Sequence, residues 1–278
     1  MIDRSVNAQG PDRRGEFAAV RRPSPRGRGG VGRALASRLP AAYDGRSSGR
    51  PIRRRPQPCC GRVPPELWLA DRMAIEVPTP HGPARVHLET VDEPRGILVL
   101  GHGAGGGVRA PDLATAAAVA TSLGVSAALV EQPYRVAGRR SAAPAHQLDA
   151  AWTTVVEHLR AAALVGGALV TGGRSSGARV ACRTAADTGA DAVLCLAFPL
   201  EPPRRQGRPP SPSRLPELDG VTVPTLVVQG EHDRFGIPPA GQLRSVAVVR
   251  GDHALRSDQG AVGEAVRAWL SRLLGDAV

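Results

Sequence analysis

Lysine is absent from this 278-residue chain: all 36 basic side chains are arginine. The phosphate cradle G-x-x-x-x-G-K-S/T is thereby excluded, because it needs a lysine on the phosphates. The exclusive use of Arg, together with abundant Ala, Gly and Pro, reads first as a coding preference and only then as chemistry. Aromatic residues make up 3% of the chain, so a core must be built from Ala, Val and Leu within the 42% that is hydrophobic. Four cysteines are too few for a disulfide scaffold and show no metal-ligand spacing. They read as reduced thiols in a cytoplasmic protein. No apolar stretch of signal-peptide type lies near Met1. The longest uncharged run, Leu113 to Val130, is split by Gly124 into a helical pattern and then a strand pattern. It therefore reads as two elements of a water-exposed fold and not as a membrane span.

The charge is unevenly placed. Residues 1–72 hold 16 arginines against 6 acids and so carry +10 of the net +11, leaving residues 73–278 nearly balanced. This first quarter, with stretches such as "RRPSPRGRGGVGR", has no sustained helical or strand period. It cannot bury enough apolar area to offset its ordering entropy, so disorder is expected over residues 1–72. Met73 opens the first orderly pattern, and the native start is expected at or near it. Arginine at this density suits phosphate contacts. Yet only Phe17, Tyr43 and Trp68 could stack on bases there, and no recognition fold is visible, so a nucleic-acid partner is not expected.

After Met73, short apolar runs alternate with helical patterns. Strands are predicted at 84–89, 96–100, 126–130, 168–171, 192–197, 225–229 and 246–249, and helices at 112–123, 145–163, 177–188, 239–244 and 260–274. The strands are continuous Val/Leu runs, which suits burial on both faces. Strand–helix alternation predicts an α/β fold over 73–278, a mostly parallel sheet with helices on both faces. Ligands bind such sheets at the carboxyl ends of the strands.

At one such end stands "GGRSSGARVA", residues 172–181. A nucleophile on a sharp strand-to-helix turn needs small residues two before and two after it. Ser175 has Gly173 and Gly177 there, whereas Ser176 would have Arg174 and Ala178. The pattern G-x-S-x-G therefore fits in one register only, with Ser175 at the apex. A serine hydroxyl needs a general base, and on this architecture an acid and then a histidine follow the serine in the chain. The strand–loop "TLVVQGEHDRFG" supplies Asp233, and "VAVVRGDHALRS" supplies His253, 58 and 78 residues after Ser175. Glu231 and Asp252 are the alternative acids. The glycine-rich turn in "LVLGHGAGGG" can aim backbone amides inward, and the N–H groups of Ala104 and Ser176 are the candidate oxyanion donors. His102 is expected to orient that turn.

Taken in order, "GHGAGGG", "QPYRVAGRR", "GGRSSGARVA", "GEHDRFG" and "RGDHALRS" give residues 77–274 a resemblance to the α/β-hydrolases. Within them the chain most resembles the hydrolase-like domain shared by testis-expressed protein 30 and subunit 3 of the non-specific-lethal histone-acetylation complex, and it is similar to the dienelactone hydrolases, which carry Cys as nucleophile. Ser176 stands where that domain often has Met. The resemblance implies hydrolysis of a small-molecule carboxylic ester or thioester, with no cofactor and no metal. Some animal members serve as scaffolds, so a catalytically silent interaction module is the competing reading. Arg135, Arg139 and Arg140 are candidates for holding an anionic acyl group. The Pro-rich segment 201–218 is too short for a helical cap, which predicts an open cleft without a lid.

Overall fold

The computed structural model describes residues 73–162, 167–202, 207, 209 and 211–276. The expectation of disorder over residues 1–72 lies outside them. Eight strands form one sheet: β1 (Met73–Val77), β2 (Ala84–Glu89), β3 (Gly96–Gly101), β4 (Ser126–Glu131), β5 (Ala168–Arg174), β6 (Ala192–Leu196), β7 (Thr225–Gly230) and β8 (Arg244–Val249), in the spatial order β1-β2-β4-β3-β5-β6-β7-β8. From β4 to β8 all pairings are parallel, while β1 and β2 form an antiparallel margin. The helices are α1 (Pro111–Ser122), α2 (Pro133–Val136), α3 (Ala145–Ala161), α4 (Ser176–Thr184), α5 (Leu215–Asp219) and α6 (Gln259–Leu273).

The period of two along each strand divides the core. In β3, Ile97 and Val99 pack with Trp152 of α3 and Val180 of α4 on one face. Leu98 and Leu100 pack with Leu113 of α1 and Leu270 of α6 on the other. Helices therefore cover both faces, and β3 to β7 are buried almost throughout, which is why those strands read as unbroken apolar runs. Trp152 and Phe198 are the largest fully buried side chains; with Tyr134 and Trp269 beside them, the rest of the core is almost all aliphatic.

Three differences from the sequence reading have physical causes. The helix expected at 239–244 is absent: Pro239 lacks an N–H donor, the Gly241 amide turns back onto the Arg244 carbonyl, and Arg244 already opens β8. β1 escapes a burial-based reading because its first four residues are exposed or half-exposed and only Val77 is buried. The short helices α2 and α5 carry a proline in their first two residues, Pro133 and Pro216, and are too brief to show a period. Between β6 and β7 the described residues hold only α5 and no helical cap. Cys182 of α4 and Cys195 of β6 are free thiols whose sulfurs lie 3.4 Å apart in the core.

Candidate active site

β5 runs straight into α4 through Ser175, whose φ of 53° and ψ of −107° are costly for a side-chain-bearing residue. Such a conformation costs on the order of 1–3 kcal/mol and must be held by its surroundings. Here the Ser175 amide donates to the Leu196 carbonyl of β6 at 2.9 Å. The two flanking glycines have a shared reason. A Cβ on Gly173 would lie 2.4 Å from the Gly101 carbonyl oxygen of β3, and one on Gly177 would lie 2.3 Å from the same atom. The neighbouring strand leaves no room for a methyl group at either place.

The loops after β7 and β8 bring two further side chains to Ser175. His253 Nε2 lies 3.0 Å from Ser175 Oγ, and His253 Nδ1 lies 2.8 Å from Asp233 Oδ2. The Asp233 side chain is fully buried, with the Phe235 amide on Oδ1 at 2.9 Å and the Gln229 amide on Oδ2 at 2.7 Å. These donors fix the orientation of the carboxylate against His253. Phe235 sets its ring edgewise against His253 at a centroid distance of 4.5 Å. The alternative acids lie elsewhere: Glu231 faces His232 at 3.4 Å, and Asp252 accepts the Ala254 amide at 2.9 Å.

His102, two residues before Ala104, is buried and reads in one tautomer. Its Nδ1 is 2.8 Å from the Gly103 carbonyl, which can only accept; its Nε2 is 3.1 Å from the Gln132 amide, which can only donate. The ring is therefore neutral with its proton on Nδ1, and burial lowers its pKa further. The Gly106 amide also donates to the Gly103 carbonyl, at 3.1 Å. With that oxygen doubly held, the trans peptide turns the Ala104 N–H the opposite way. The Tyr134 hydroxyl pins the next peptide through the Ala104 carbonyl at 3.0 Å.

A cleft of about 300 Å³ contains Ser175, Ser176, Ala104 and Phe235, and also Arg179, Arg183 and Arg214. The arginines expected at the substrate are placed differently. Arg139 lines a separate neighbouring cleft with His81 and Tyr134, its carbonyl accepting from the half-exposed Arg135 at 3.4 Å, and Arg140 is exposed. α2 ends at Val136, so Arg139 and Arg140 follow it in the chain, and none of the three lines the Ser175 cleft, whereas Arg179 and Arg183, four apart on α4, share a face and do.

Sequence reasoning also missed Arg174 and Asp112. Arg174, inside the G-x-S-x-G stretch, donates to the His253 carbonyl at 3.0 Å. Its Nε sits 3.0 Å from the fully buried Asp112 side chain at the start of α1, an ion pair not aligned as a hydrogen bond. Burial pushes the Asp112 carboxyl from 3.8 up to about 6, against the pull of Arg174. A usable signal for Gln229 existed: a polar residue closing the apolar run "TLVVQ" must find partners when buried.

A family model described as an alpha/beta hydrolase domain matches residues 94–260. No curated relative matches the chain in sequence. Among solved structures, the chain is similar to Est1E from Butyrivibrio proteoclasticus, with 15% identity and a TM-score of 0.60 over 73% of this chain and 99% of that one. It is similar to an α/β serine hydrolase without lid from Xanthomonas campestris (19%, 0.54, covering 72% and 95%). A dienelactone hydrolase from Anabaena variabilis is similar to the same degree (16%, 0.56, covering 75% and 99%). At these identities the likeness is one of fold.

Proposed function

The chain belongs to the alpha/beta-hydrolase family, and from that premise we propose that it is a serine hydrolase of small carboxylic esters or thioesters. The observation that carries the reading is the unbroken chain of contacts from Ser175 Oγ to His253 Nε2 at 3.0 Å and from His253 Nδ1 to Asp233 Oδ2 at 2.8 Å.

Ser175 Oγ attacks the carbonyl carbon while its proton passes to His253 Nε2. Asp233 accepts the Nδ1–H, fixes that tautomer and stabilises the imidazolium. The C=O electron pair moves onto oxygen, where the amides of Ala104 and Ser176 donate to it; each such donor contributes roughly 10²- to 10³-fold in rate. Collapse expels the alkoxide or thiolate, which takes the Nε2 proton. Water then loses a proton to His253 and attacks the acyl carbon; the acyl–Oγ bond breaks, His253 returns the proton to Ser175 Oγ, and the acid leaves. No step calls on a metal or cofactor. Est1E is known with ferulic acid bound, and a carboxylic acid is the product class of such a cycle. No helix among the described residues is long and apolar enough to cross a membrane. The cytoplasmic placement we propose rests on the cysteines, read as reduced thiols.

A serine-reactive fluorophosphonate tests the assignment. Labelling is expected to vanish in Ser175→Ala and persist in Ser176→Ala. A parent chain that folds but does not label would return the reading of a silent interaction module. Activity on p-nitrophenyl esters of graded length then defines the acyl range.

A further inference from the structure

Three guanidinium groups line the Ser175 cleft, but among the described residues only two carboxylates meet them. Arg179 Nε donates to Glu217 Oε2 at 2.8 Å, and its Nη2 reaches Oε1. Arg183 grips both oxygens of Asp149, at 2.9 and 2.6 Å, and shares Glu217 Oε2 at 3.3 Å. Arg214 has no carboxylate within ion-pair distance among the described residues. Its Nη1 donates to the Pro199 carbonyl at 2.8 Å, and Glu217 and the exposed Glu201 act on it only at longer range. It is half-buried, and burial together with Arg179 and Arg183 weighs against its own charge. A guanidinium that cannot shed its proton, set beside two others in a partly dry cleft, is electrostatically incomplete. Its remaining N–H donors form a planar fork that matches a carboxylate or phosphate.

We infer that Arg214 is an anion-binding residue of the Ser175 cleft, so that the substrate is an ester or thioester carrying a second, anionic group, a carboxylate or phosphate, within reach of the scissile bond. Arg179 and Arg183 are held by their own carboxylates and supply background potential, not the direct contact. The cleft, at about 300 Å³, suits a short chain between the reacting carbonyl and the anion. This substrate assignment rests on the hydrolase reading for its chemistry, whereas the anion site itself does not.

Two arms separate the readings. In the binding arm, the full-length chain is titrated calorimetrically with glutarate and with inorganic phosphate, in the parent, in Arg214→Gln and in Arg272→Gln, an exposed charge control on α6. Saturable binding that weakens at least tenfold in Arg214→Gln but not in Arg272→Gln supports the site, and the tighter anion identifies the group. No saturable binding, or equal weakening in both variants, overturns it. In the kinetic arm, p-nitrophenyl hydrogen glutarate is compared with p-nitrophenyl valerate. The kcat/KM ratio of anionic to neutral ester is expected to exceed ten in the parent and to fall at least tenfold in Arg214→Gln; an unchanged ratio overturns the substrate class. Should neither ester turn over and Ser175 fail to label, the hydrolase reading fails while the binding arm still decides the anion site. Melting temperatures of each variant exclude unfolding as the cause of any loss.

Discussion

Arg174 and Arg214 both stand close to Ser175, and their surroundings differ in one respect. Arg174 faces a carboxylate, Asp112, whose side chain is fully buried, and its remaining reach goes to the His253 backbone. Cation and anion match one to one, and the pair ties together the start of α1, the strand-to-helix turn and the loop bearing His253. Among the described residues, Arg179, Arg183 and Arg214 together face only Asp149 and Glu217, and they line open space. A balanced buried pair can only hold parts of the fold in place. An unbalanced group at a cleft has attraction left over for a ligand. The same residue type thus serves architecture in one place and recognition in the other, and the count of nearby carboxylates distinguishes them.

The comparison breaks most visibly at Asp112. Asp112→Ala strands the Arg174 charge among buried groups, and a loss of about 3–4 kcal/mol is expected in denaturant unfolding. Chain that remains folded should label more slowly with fluorophosphonate, because Arg174 no longer fixes the His253 loop. Next comes pH. The folded-state pKa of Asp112, about 6, lies above its unfolded value near 3.8. Its contribution to stability is therefore complete below pH 3.8 and is lost as pH rises through about 6. Measured against Asp112→Asn, which does not titrate, the parent should gain about 2–3 kcal/mol on going from pH 7 to pH 4. A flat difference would show that the acid does not titrate in this range.

Two changes sharpen the other side. Glu217→Gln frees Arg179 and leaves Arg183 with Asp149 alone. It should cost about 1–2 kcal/mol in stability while tightening anion binding severalfold, as read by calorimetry. Arg214→Gln should move stability least, within about 0.5 kcal/mol, because no carboxylate partner is lost and a repulsion is relieved. If its unfolding cost instead equals that of Asp112→Ala, Arg214 belongs with the architecture and the distinction drawn between the two groups is lost.

Much of this was legible beforehand. Buried parallel strands announce themselves as Val/Leu runs, which made β3 to β7 readable; β2 showed through its alternation and β8 through its short Val run, so seven of the strands and the alternation that makes the fold were readable from 73 onward. The turn at Ser175 was readable because steric exclusion acts on immediate chain neighbours: Gly173 and Gly177 permit one register and Arg174 forbids the other. Asp233 and His253 were readable because strand ends in a parallel sheet converge on one edge. The arginines were not. Arg135, Arg139 and Arg140 look in sequence like any other basic cluster, and nothing local says that Arg139 lines a neighbouring cleft while the other two line neither. Arg214 is one arginine among 36, and its significance lies in carboxylates it fails to meet.

The sequence by itself determined the order of elements, the conformation demanded of Ser175 and the identity of the residues available at the strand ends, since period, side-chain volume and backbone freedom are properties of near neighbours along the chain. Only the tertiary structure decided which charges are matched and which are spare, because electrostatic balance is a sum over groups brought together from α1, α3, α4 and α5, and no window of the chain contains that sum.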